Sequence, residues 1–251
     1  MNDFNSLQGY NVYPDPSLVG KDWQKTINHF YVKMIEISHL VTEAIAISLN
    51  FPTLNDYCES GDTISIMRLF KYFPYQTAEQ RGIEGSDRAK IGSSAHTDWG
   101  FLTLILMEDQ PDGLEVYSPV TEHWHAIPSR PGTLVVNCGD FLSILTGGRY
   151  KSPLHRVTTG SSKPRTSFVL FFYPSFDSIL DPQLLKTSSE QHENVPQTYS
   201  LLHDQNDQGS SAGVDDPSDC KSPLQQDSQT KILQFGQYIA EKWKQVSRDQ
   251  P

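Results

Sequence analysis

The 251-residue sequence has few cysteines, a deficit of basic residues and no long hydrophobic run. No segment approaches the roughly 20 consecutive apolar residues that a membrane helix needs, and the first residues lack the basic and apolar regions of a secretory signal. The three cysteines are far apart and form no Cys-x-x-Cys pair, which excludes a zinc ribbon and disfavours a disulfide framework. We therefore expect a cytoplasmic protein that does not associate with membranes.

Acidic residues outnumber basic ones, 30 to 20, and the formal net charge is -10. A protein of this charge repels the phosphate backbone of nucleic acids, and no basic cluster reverses the charge locally. Nucleic acid is therefore not an expected partner. The length and composition instead fit one globular domain with a sizeable core.

The hydrophobic pattern changes along the chain. Between positions 22 and 50 apolar residues recur at steps of three and four, which predicts a long amphipathic helix with Asp22 as its cap and Asn50 near its end. Short β-branched and aromatic runs between 64 and 173 predict the strands of a sandwich or barrel, interrupted by one helical turn that Asp140 would cap. The predicted organisation is an N-terminal helical segment packing on the core (1–60), a β core (61–185), a polar mobile loop (186–230) and a C-terminal helix (231–251).

A His-x-Asp pair, His96 and Asp98, lies within the predicted β region. Residues two apart on a strand point to the same face, so both side chains can reach one ion. His155 would complete two histidines and one carboxylate, the ligand set of non-haem Fe(II) oxygenases. Ten residues later Arg165 and Ser167 also share a strand face, where they could hold a carboxylate; an ordinary ion pair is an equally good interpretation of Arg165 alone.

Other candidate residues have simpler interpretations. His123 and His125 form a rival His-x-His pair, but they alternate with a tryptophan that prefers the core, so we expect both histidines to face solvent. His39 lies off the apolar stripe of the long helix and is expected at the surface. Asp140 is expected to cap its helical turn rather than to act as an acid or base.

The order His-x-Asp, then His after 57 residues, then Arg-x-Ser after ten more resembles that of the isopenicillin N synthase-like Fe(II)/2-oxoglutarate-dependent dioxygenases, the plant-type 2-oxoglutarate oxygenases. The segments 131–141 and 148–157 also resemble this family's Asn-x-Gly-Asp turn and its approach to the distal histidine. The similarity is strong from about position 64 to 174. It implies a mainly β fold with flanking helices, built on a double-stranded β-helix, the jelly roll of cupin-like proteins.

The resemblance also implies roles for nine residues. They are Fe(II) binding by His96, Asp98 and His155, 2-oxoglutarate binding by Arg165, Ser167 and Tyr72, and a substrate pocket that includes Phe171, Phe70 and Arg68. Phe70 stands where the family has an asparagine, which removes a polar contact expected near the iron-binding end of 2-oxoglutarate. Dioxygen would be the second co-substrate, and ascorbate is a further candidate cofactor.

The function that the resemblance implies is oxidative decarboxylation of 2-oxoglutarate coupled to hydroxylation, desaturation or demethylation of a small organic molecule. Two alternatives stay open: an iron-dependent oxidase of the same family that does not use 2-oxoglutarate, and a truncated, non-catalytic binding protein. The second arises because family members carry further strands and helices before the long helix. Loss of that flank would expose an apolar face, so a protein partner or self-association is a further expectation.

Overall fold

The structure is a computed structural model that describes residues 10–59, 61, 63–74, 91–108, 113–159, 163–180 and 233–248. The predicted mobile loop at 186–230 lies outside the described residues. In chain order the helices are α1 (Pro16–Val19), α2 (Trp23–Leu49), a 3-10 turn (Pro52–Asn55), α3 (Asp56–Glu59), α4 (Asp140–Leu145) and α5 (Phe235–Arg248). In the part of the chain described, no helix has the length and apolar character to cross a bilayer.

Ten strands accompany these helices in the described segments. They are β1 (Ile66–Tyr72), β2 (Ile91–His96), β3 (Leu102–Met107), β4 (Leu114–Ser118), β5 (His123–Ala126), β6 (Val135–Cys138), β7 (His155–Thr158), β8 (Arg165–Phe172), β9 (Ile179–Leu180) and β10 (Leu233–Gln234). Eight of them form two antiparallel four-stranded sheets, with strand orders β1-β8-β3-β6 and β2-β7-β4-β5. Most neighbouring strands within each sheet are far apart in sequence, as in a jelly roll.

Helix α2 covers the outer face of the first sheet. Its buried residues include Met34, Ile45 and Leu49, which belong to the same apolar core as Leu170 and Phe172 of β8. Burial of such side chains stabilises the fold by about 1.5–3 kcal/mol each. The helix therefore fixes the first sheet from outside and leaves its inner face for the second sheet.

Three details of α2 differ from the sequence-based expectations or refine them. Asp22 occupies the N-cap position but makes no capping hydrogen bond with its side chain. Asn50 ends the helix in the left-handed region (φ 52°), which asparagine tolerates better than most residues. The expectation that His39 lies at the surface is wrong: its ring is half-buried and meets Phe172 edge-on, with ring centroids 5.0 Å apart.

The inner faces of the two sheets enclose a smaller apolar cluster. Its buried members are Ile105, Leu114, Val157 and Val169, with Phe70, Tyr72 and Phe171 among the half-buried side chains around it. Side chains alternate between the two faces of a strand, so residues two positions from a member of this cluster also point inward. His155 lies two residues before Val157, and Ser167 two residues before Val169, so both polar side chains face the same interior.

Candidate metal centre

Strand pairing brings the two candidate histidines together. β2 and β7 are antiparallel neighbours, and His96 lies directly opposite His155 in their register. The centroids of the two imidazole rings are 4.3 Å apart. Asp98 follows β2 by two residues, and its backbone carbonyl accepts a hydrogen bond from the backbone N–H of Asp140 (2.7 Å). A strand pair and a turn thus hold the three side chains.

The side chains of His96, Asp98 and His155 form a cluster whose ligand atoms all lie within 4.8 Å of one another. The Nε2 atoms of His96 and His155 lie 3.8 and 3.7 Å from the two carboxylate oxygens of Asp98. Asp98 and His155 are buried, whereas the side chain of His96 is 41% exposed. The cluster is therefore enclosed on its inner side and open to solvent on the other.

The hydrogen bonds of both imidazoles leave Nε2 available for a metal. The Nδ1 atom of His96 lies 2.7 Å from the Ser94 carbonyl oxygen, and that of His155 lies 3.1 Å from the Pro153 carbonyl oxygen. A carbonyl only accepts, so Nδ1–H donates in each ring and the lone pair of Nε2 faces the cluster. Burial, with a smaller effect of His96, lowers the pKa of His155 against the opposing charge of Asp98. The neutral imidazole that a metal needs is therefore favoured.

A second layer of contacts holds the carboxylate of Asp98. The side-chain amide of Asn137 on β6 donates to Asp98 Oδ2 at 2.8 Å. Gly139 allows β6 to approach the segment after Asp98, because a Cβ at this position would lie 2.2 Å from the Gly100 carbonyl oxygen. These contacts explain the Asn-x-Gly-Asp motif of the sequence: the asparagine orients Asp98 and the glycine permits close packing.

The expectation that Asp140 caps its helix is wrong. Gly139 occupies the N-cap position of α4, and Asp140 lies in the first turn without a capping bond. The residue is 3% exposed, and its side chain accepts a hydrogen bond from the Thr97 hydroxyl (3.1 Å). Burial raises the pKa of this carboxyl against the opposing effects of hydrogen bonds with Ser152 and Thr97. Asp140 therefore ties the turn that carries Asp98 to α4.

Asn137→Ala tests the support of the Asp98 carboxylate. Removal of the amide leaves Asp98 Oδ2 without this donor and allows the carboxylate to rotate. We expect the affinity for Fe(II) to fall by about 10- to 100-fold, the usual effect of losing an outer partner of a metal ligand. Anaerobic Fe(II) titration measures this affinity. Asn137→Asp serves as the comparison, because it keeps the size of the side chain but places an acceptor beside Asp98; an unchanged affinity in both variants would contradict the assigned role.

A candidate carboxylate anchor lies on the β1–β8 pair. Tyr72 is opposite Arg165 in the register, and the guanidinium carbon of Arg165 lies 4.2 Å from the centroid of the Tyr72 ring. Arg165 and Ser167 are both buried. Burial raises the pKa of Tyr72 against the opposing effects of a hydrogen bond with Ser167 and the charge of Arg165, so its phenol stays neutral at pH 7. The three predicted 2-oxoglutarate residues are thus in contact.

Gly113 makes room for the guanidinium of Arg165. It has φ 133°, and a Cβ built on it would lie 2.3 Å from Arg165 Nη2. We expect Gly113→Ala to displace Arg165 and to weaken 2-oxoglutarate binding by at least about tenfold, the effect of losing one good charged hydrogen bond. Fe(II) affinity should change little. Gly132→Ala is the matched control, because Gly132 also has positive φ (73°) but has no atom within 4 Å of the added Cβ; equal effects of the two variants would contradict this prediction.

The predicted substrate-pocket residues separate into two places. Phe70 stacks on Tyr72, with ring centroids 5.9 Å apart, and so borders the carboxylate anchor. Arg68 lies between two aromatic rings, 5.6 Å from the centroid of Phe171 and 5.6 Å from that of Trp243. Sequence reasoning did not identify Trp243 as part of this region; its position on the apolar side of the last helix was the one available signal.

The rival histidine pair belongs to no group of three candidate metal ligands among the described residues. His123 and His125 are both exposed on β5, whereas Trp124 between them is half-buried, as predicted. Arg156, beside His155, contacts the Trp124 ring at 4.2 Å and donates from Nε to Glu115 at 2.6 Å. Within the described residues the cluster of His96, Asp98 and His155 is the one group of this kind.

The profile of the 2OG-Fe(II) oxygenase superfamily matches residues 63–174, which include all three cluster residues, Arg165 and Ser167. The matched segment of this chain belongs to that superfamily. The clavatol oxidase claD of Penicillium crustosum is 38% identical over 193 residues, which cover 75% of this chain and 54% of the relative. The 2-oxoglutarate-dependent dioxygenase traH of the same fungus is 33% identical over 179 residues, covering 70% of this chain and 51% of the relative.

Solved structures of the superfamily share the fold. A full-length Neurospora crassa protein crystallised in complex with alpha-KG has a TM-score of 0.65 and 22% identity, covering 93% of this chain and 61% of the Neurospora chain. A 2OG-Fe(II) oxygenase family protein of Caulobacter crescentus has a TM-score of 0.62 and 21% identity, covering 94% of this chain and 62% of that protein. These likenesses confirm the predicted jelly roll. The chain spans about half the length of the curated relatives it matches.

The predicted family and its cofactors are therefore confirmed: Fe(II) and 2-oxoglutarate are the metal and the co-substrate of this superfamily. The donor set of the cluster fits this metal, since two neutral imidazoles and one carboxylate are the facial ligands of non-haem Fe(II) oxygenases. The buried guanidinium of Arg165 fits a carboxylate of the co-substrate. The residues that would hold the metal and the co-substrate are therefore all present in this chain.

Proposed function

We propose that this protein is an Fe(II)/2-oxoglutarate-dependent oxygenase that couples decarboxylation of 2-oxoglutarate to oxidation of a small organic molecule. The observation that carries the proposal is the placement of the metal cluster and the Arg165 anchor on facing sheets of one interior. Val157 shares the inward face of β7 with His155, Val169 shares that of β8 with Arg165 and Ser167, and both valines belong to one apolar cluster.

Each of the predicted residues has a distinct task in this proposal. His96 Nε2, His155 Nε2 and the Asp98 carboxylate hold Fe(II), and Asn137 orients the carboxylate. When bound, Fe(II) would supply the redox chemistry for the oxidative decarboxylation of 2-oxoglutarate by O2. The fork of Arg165 takes the distal carboxylate of 2-oxoglutarate in a bidentate manner, and Ser167 and Tyr72 complete this site with hydroxyl groups.

The apolar cluster between the sheets excludes water from the co-substrate. Its side chains, among them Val169, Leu114 and the half-buried Phe70, leave Arg165 as the charged group that meets the co-substrate there. In a site with little water, the attraction between a guanidinium and a carboxylate is stronger than at the surface. Phe70, which replaces the family's asparagine, adds apolar surface against Tyr72 instead of a polar contact.

The relatives support a small molecule as the prime substrate. Those most similar include a clavatol oxidase and several 2-oxoglutarate-dependent dioxygenases, and the Neurospora crassa protein was also crystallised with thymine. Hydroxylation, desaturation and demethylation all fit one iron site. An oxidase that does not use 2-oxoglutarate is the weaker candidate, because the carboxylate anchor of Arg165, Ser167 and Tyr72 is complete in this chain.

Anaerobic titration of the purified apoprotein with Fe(II) and then 2-oxoglutarate tests the proposal. A chelated 2-oxo acid on Fe(II) gives a weak visible charge-transfer band. Admission of air together with ascorbate, which supplies the two electrons that the absent prime substrate would give, should then yield succinate. We expect both signals. A folded protein that binds Fe(II) but gives neither the band nor succinate would favour the oxidase alternative, and one that does not bind Fe(II) would favour the non-catalytic alternative.

A further inference from the structure

Arg68 is an exposed cation on the inward face of the first sheet. Alternation along β1 places it on the same face as Phe70 and Tyr72, which border the interior cluster. In the register of β1 and β8 it lies opposite Val169, a buried member of that cluster. Among the described residues no carboxylate lies within ion-pair distance of its guanidinium. Within the described residues the positive charge of Arg68 is therefore not compensated by a carboxylate.

Two chains of contacts connect Arg68 with the metal cluster. Trp99 follows Asp98 directly, and its ring meets Trp243 edge-on with centroids 5.6 Å apart; Trp243 in turn contacts Arg68. On the other side Asn137, the partner of Asp98, is the register neighbour of Thr103, and Thr103 is the register neighbour of Phe171. Phe171 contacts Arg68 as well. Arg68 thus lies at the same end of the interior as the cluster.

The two arginines of this face serve different ends of the site. Arg165 is buried at the start of β8, next to Tyr72 at the end of β1. Arg68 lies four residues before Tyr72, which corresponds to about 13 Å along an extended strand. The contacts of the two side chains also differ: the guanidinium of Arg165 lies over Tyr72, whereas that of Arg68 lies over Phe171 and Trp243. Arg68 and Arg165 therefore occupy different surroundings, and a second anionic group could meet Arg68.

The surroundings of Arg68 suit a carboxylate on a planar body. The two aromatic rings within 6 Å of its guanidinium stabilise the cation by cation–π contacts but do not neutralise its charge. These contacts leave the in-plane N–H groups of the guanidinium for an anion. The fork of a guanidinium matches the two oxygens of a carboxylate. Phe171 and Trp243 present flat apolar surfaces beside this fork, and Trp99, next to Asp98, is in contact with Trp243.

We propose that Arg68, Phe171 and Trp243 form a subsite for the carboxylate of the prime substrate, and that this substrate is an aromatic carboxylate. That the bound aromatic carboxylate is then oxidised rests on the proposed function, whereas its binding at Arg68 can be tested independently. Benzoate is a suitable probe, and benzamide is its neutral isostere. Calorimetry measures the binding of either probe to protein loaded anaerobically with Fe(II) and 2-oxoglutarate, while the charge-transfer band of the same sample reports on 2-oxoglutarate.

The expected result is that benzoate binds at least about tenfold more tightly than benzamide, and that Arg68→Gln removes this preference while the charge-transfer band persists. Arg68→Lys should keep part of the preference, since it retains the charge but not the fork. Arg130→Gln, which changes an exposed arginine of the β5–β6 connection, should keep all of it.

Three results would overturn the subsite: equal affinity for benzoate and benzamide, a preference that survives Arg68→Gln, or loss of the charge-transfer band in Arg68→Gln, which would assign Arg68 to 2-oxoglutarate. Failure of the proposed function is a separate result. In that case the unaltered protein gives no band, yet its calorimetric preference for benzoate and the effect of Arg68→Gln still decide whether the subsite exists.

Discussion

His155→Ala should abolish Fe(II) binding at the concentrations at which the unaltered protein is saturated. The variant loses one of three ligands and leaves His96 and Asp98 as the two that remain. Loss of an outer partner of a ligand already costs about 10- to 100-fold in metal affinity, so loss of a ligand should cost more than about 100-fold. The Nδ1–H of His155 donates to the Pro153 carbonyl, which turns Nε2 toward the cluster. The cluster includes no fourth His, Cys, Asp or Glu among the described residues that could replace this ligand.

The measurement is competition for Fe(II) with a chromogenic chelator under anaerobic conditions. His125→Ala is the matched control, because His125 belongs to the exposed pair on β5 and should leave the affinity unchanged. Circular dichroism should show the same strand content for both variants. Retained affinity in His155→Ala, or an equal loss in His125→Ala, would mean that the metal binds elsewhere.

The site was predictable because its residues obey strand geometry. His96 and Asp98 share a face by their spacing, and the inward position of His155 follows from the alternation of β7, in which Val157 is also buried. The pairing of β2 with β7 is not encoded in any local pattern, however. Only the resemblance to a known family connected them, and the antiparallel register that sets His96 opposite His155 is what the fold adds.

The wrong predictions share one physical cause, which is burial of polar groups by tertiary contacts. Asp140 has the sequence context of a cap, but α4 packs so closely under the Asp98 turn that its carboxylate is enclosed and bonded to Thr97 instead. His39 was assigned to the surface by the periodicity of α2, whereas β8 presents Phe172 to its ring. Periodicity describes one helix alone and does not include the shape of its neighbour.

The region around Arg68 illustrates a different limit of prediction from sequence. Phe171 and Arg68 were assigned to the pocket only by resemblance, while Trp99 and Trp243 carried no such signal. Trp243 reaches the site from a helix near the end of the chain, after a long stretch of polar sequence. A contact at that separation depends on where α5 packs, and the packing of a terminal helix depends on the whole core that it closes.

Arg165→Ala should weaken 2-oxoglutarate binding by at least about 100-fold while leaving Fe(II) affinity within a few-fold of its original value. A buried guanidinium provides two charge-assisted hydrogen bonds, each contributing about 1.5–3 kcal/mol, and their loss leaves the co-substrate carboxylate in an apolar site. Arg165→Lys should give an intermediate affinity, because lysine keeps the charge but neither the fork nor the planar contact with Tyr72.

Titration of the charge-transfer band with 2-oxoglutarate measures this affinity in each variant. Arg156→Ala is the matched control: Arg156 lies on β7 of the facing sheet in contact with Glu115 and Trp124, so its removal costs an ion pair without touching the anchor. If Arg165→Ala and Arg156→Ala weaken 2-oxoglutarate binding equally, both substitutions act by destabilising the fold. If Arg165→Ala alone abolishes the band while Fe(II) still binds, the co-substrate and the metal have separate sites that meet in one interior, as the proposed function requires.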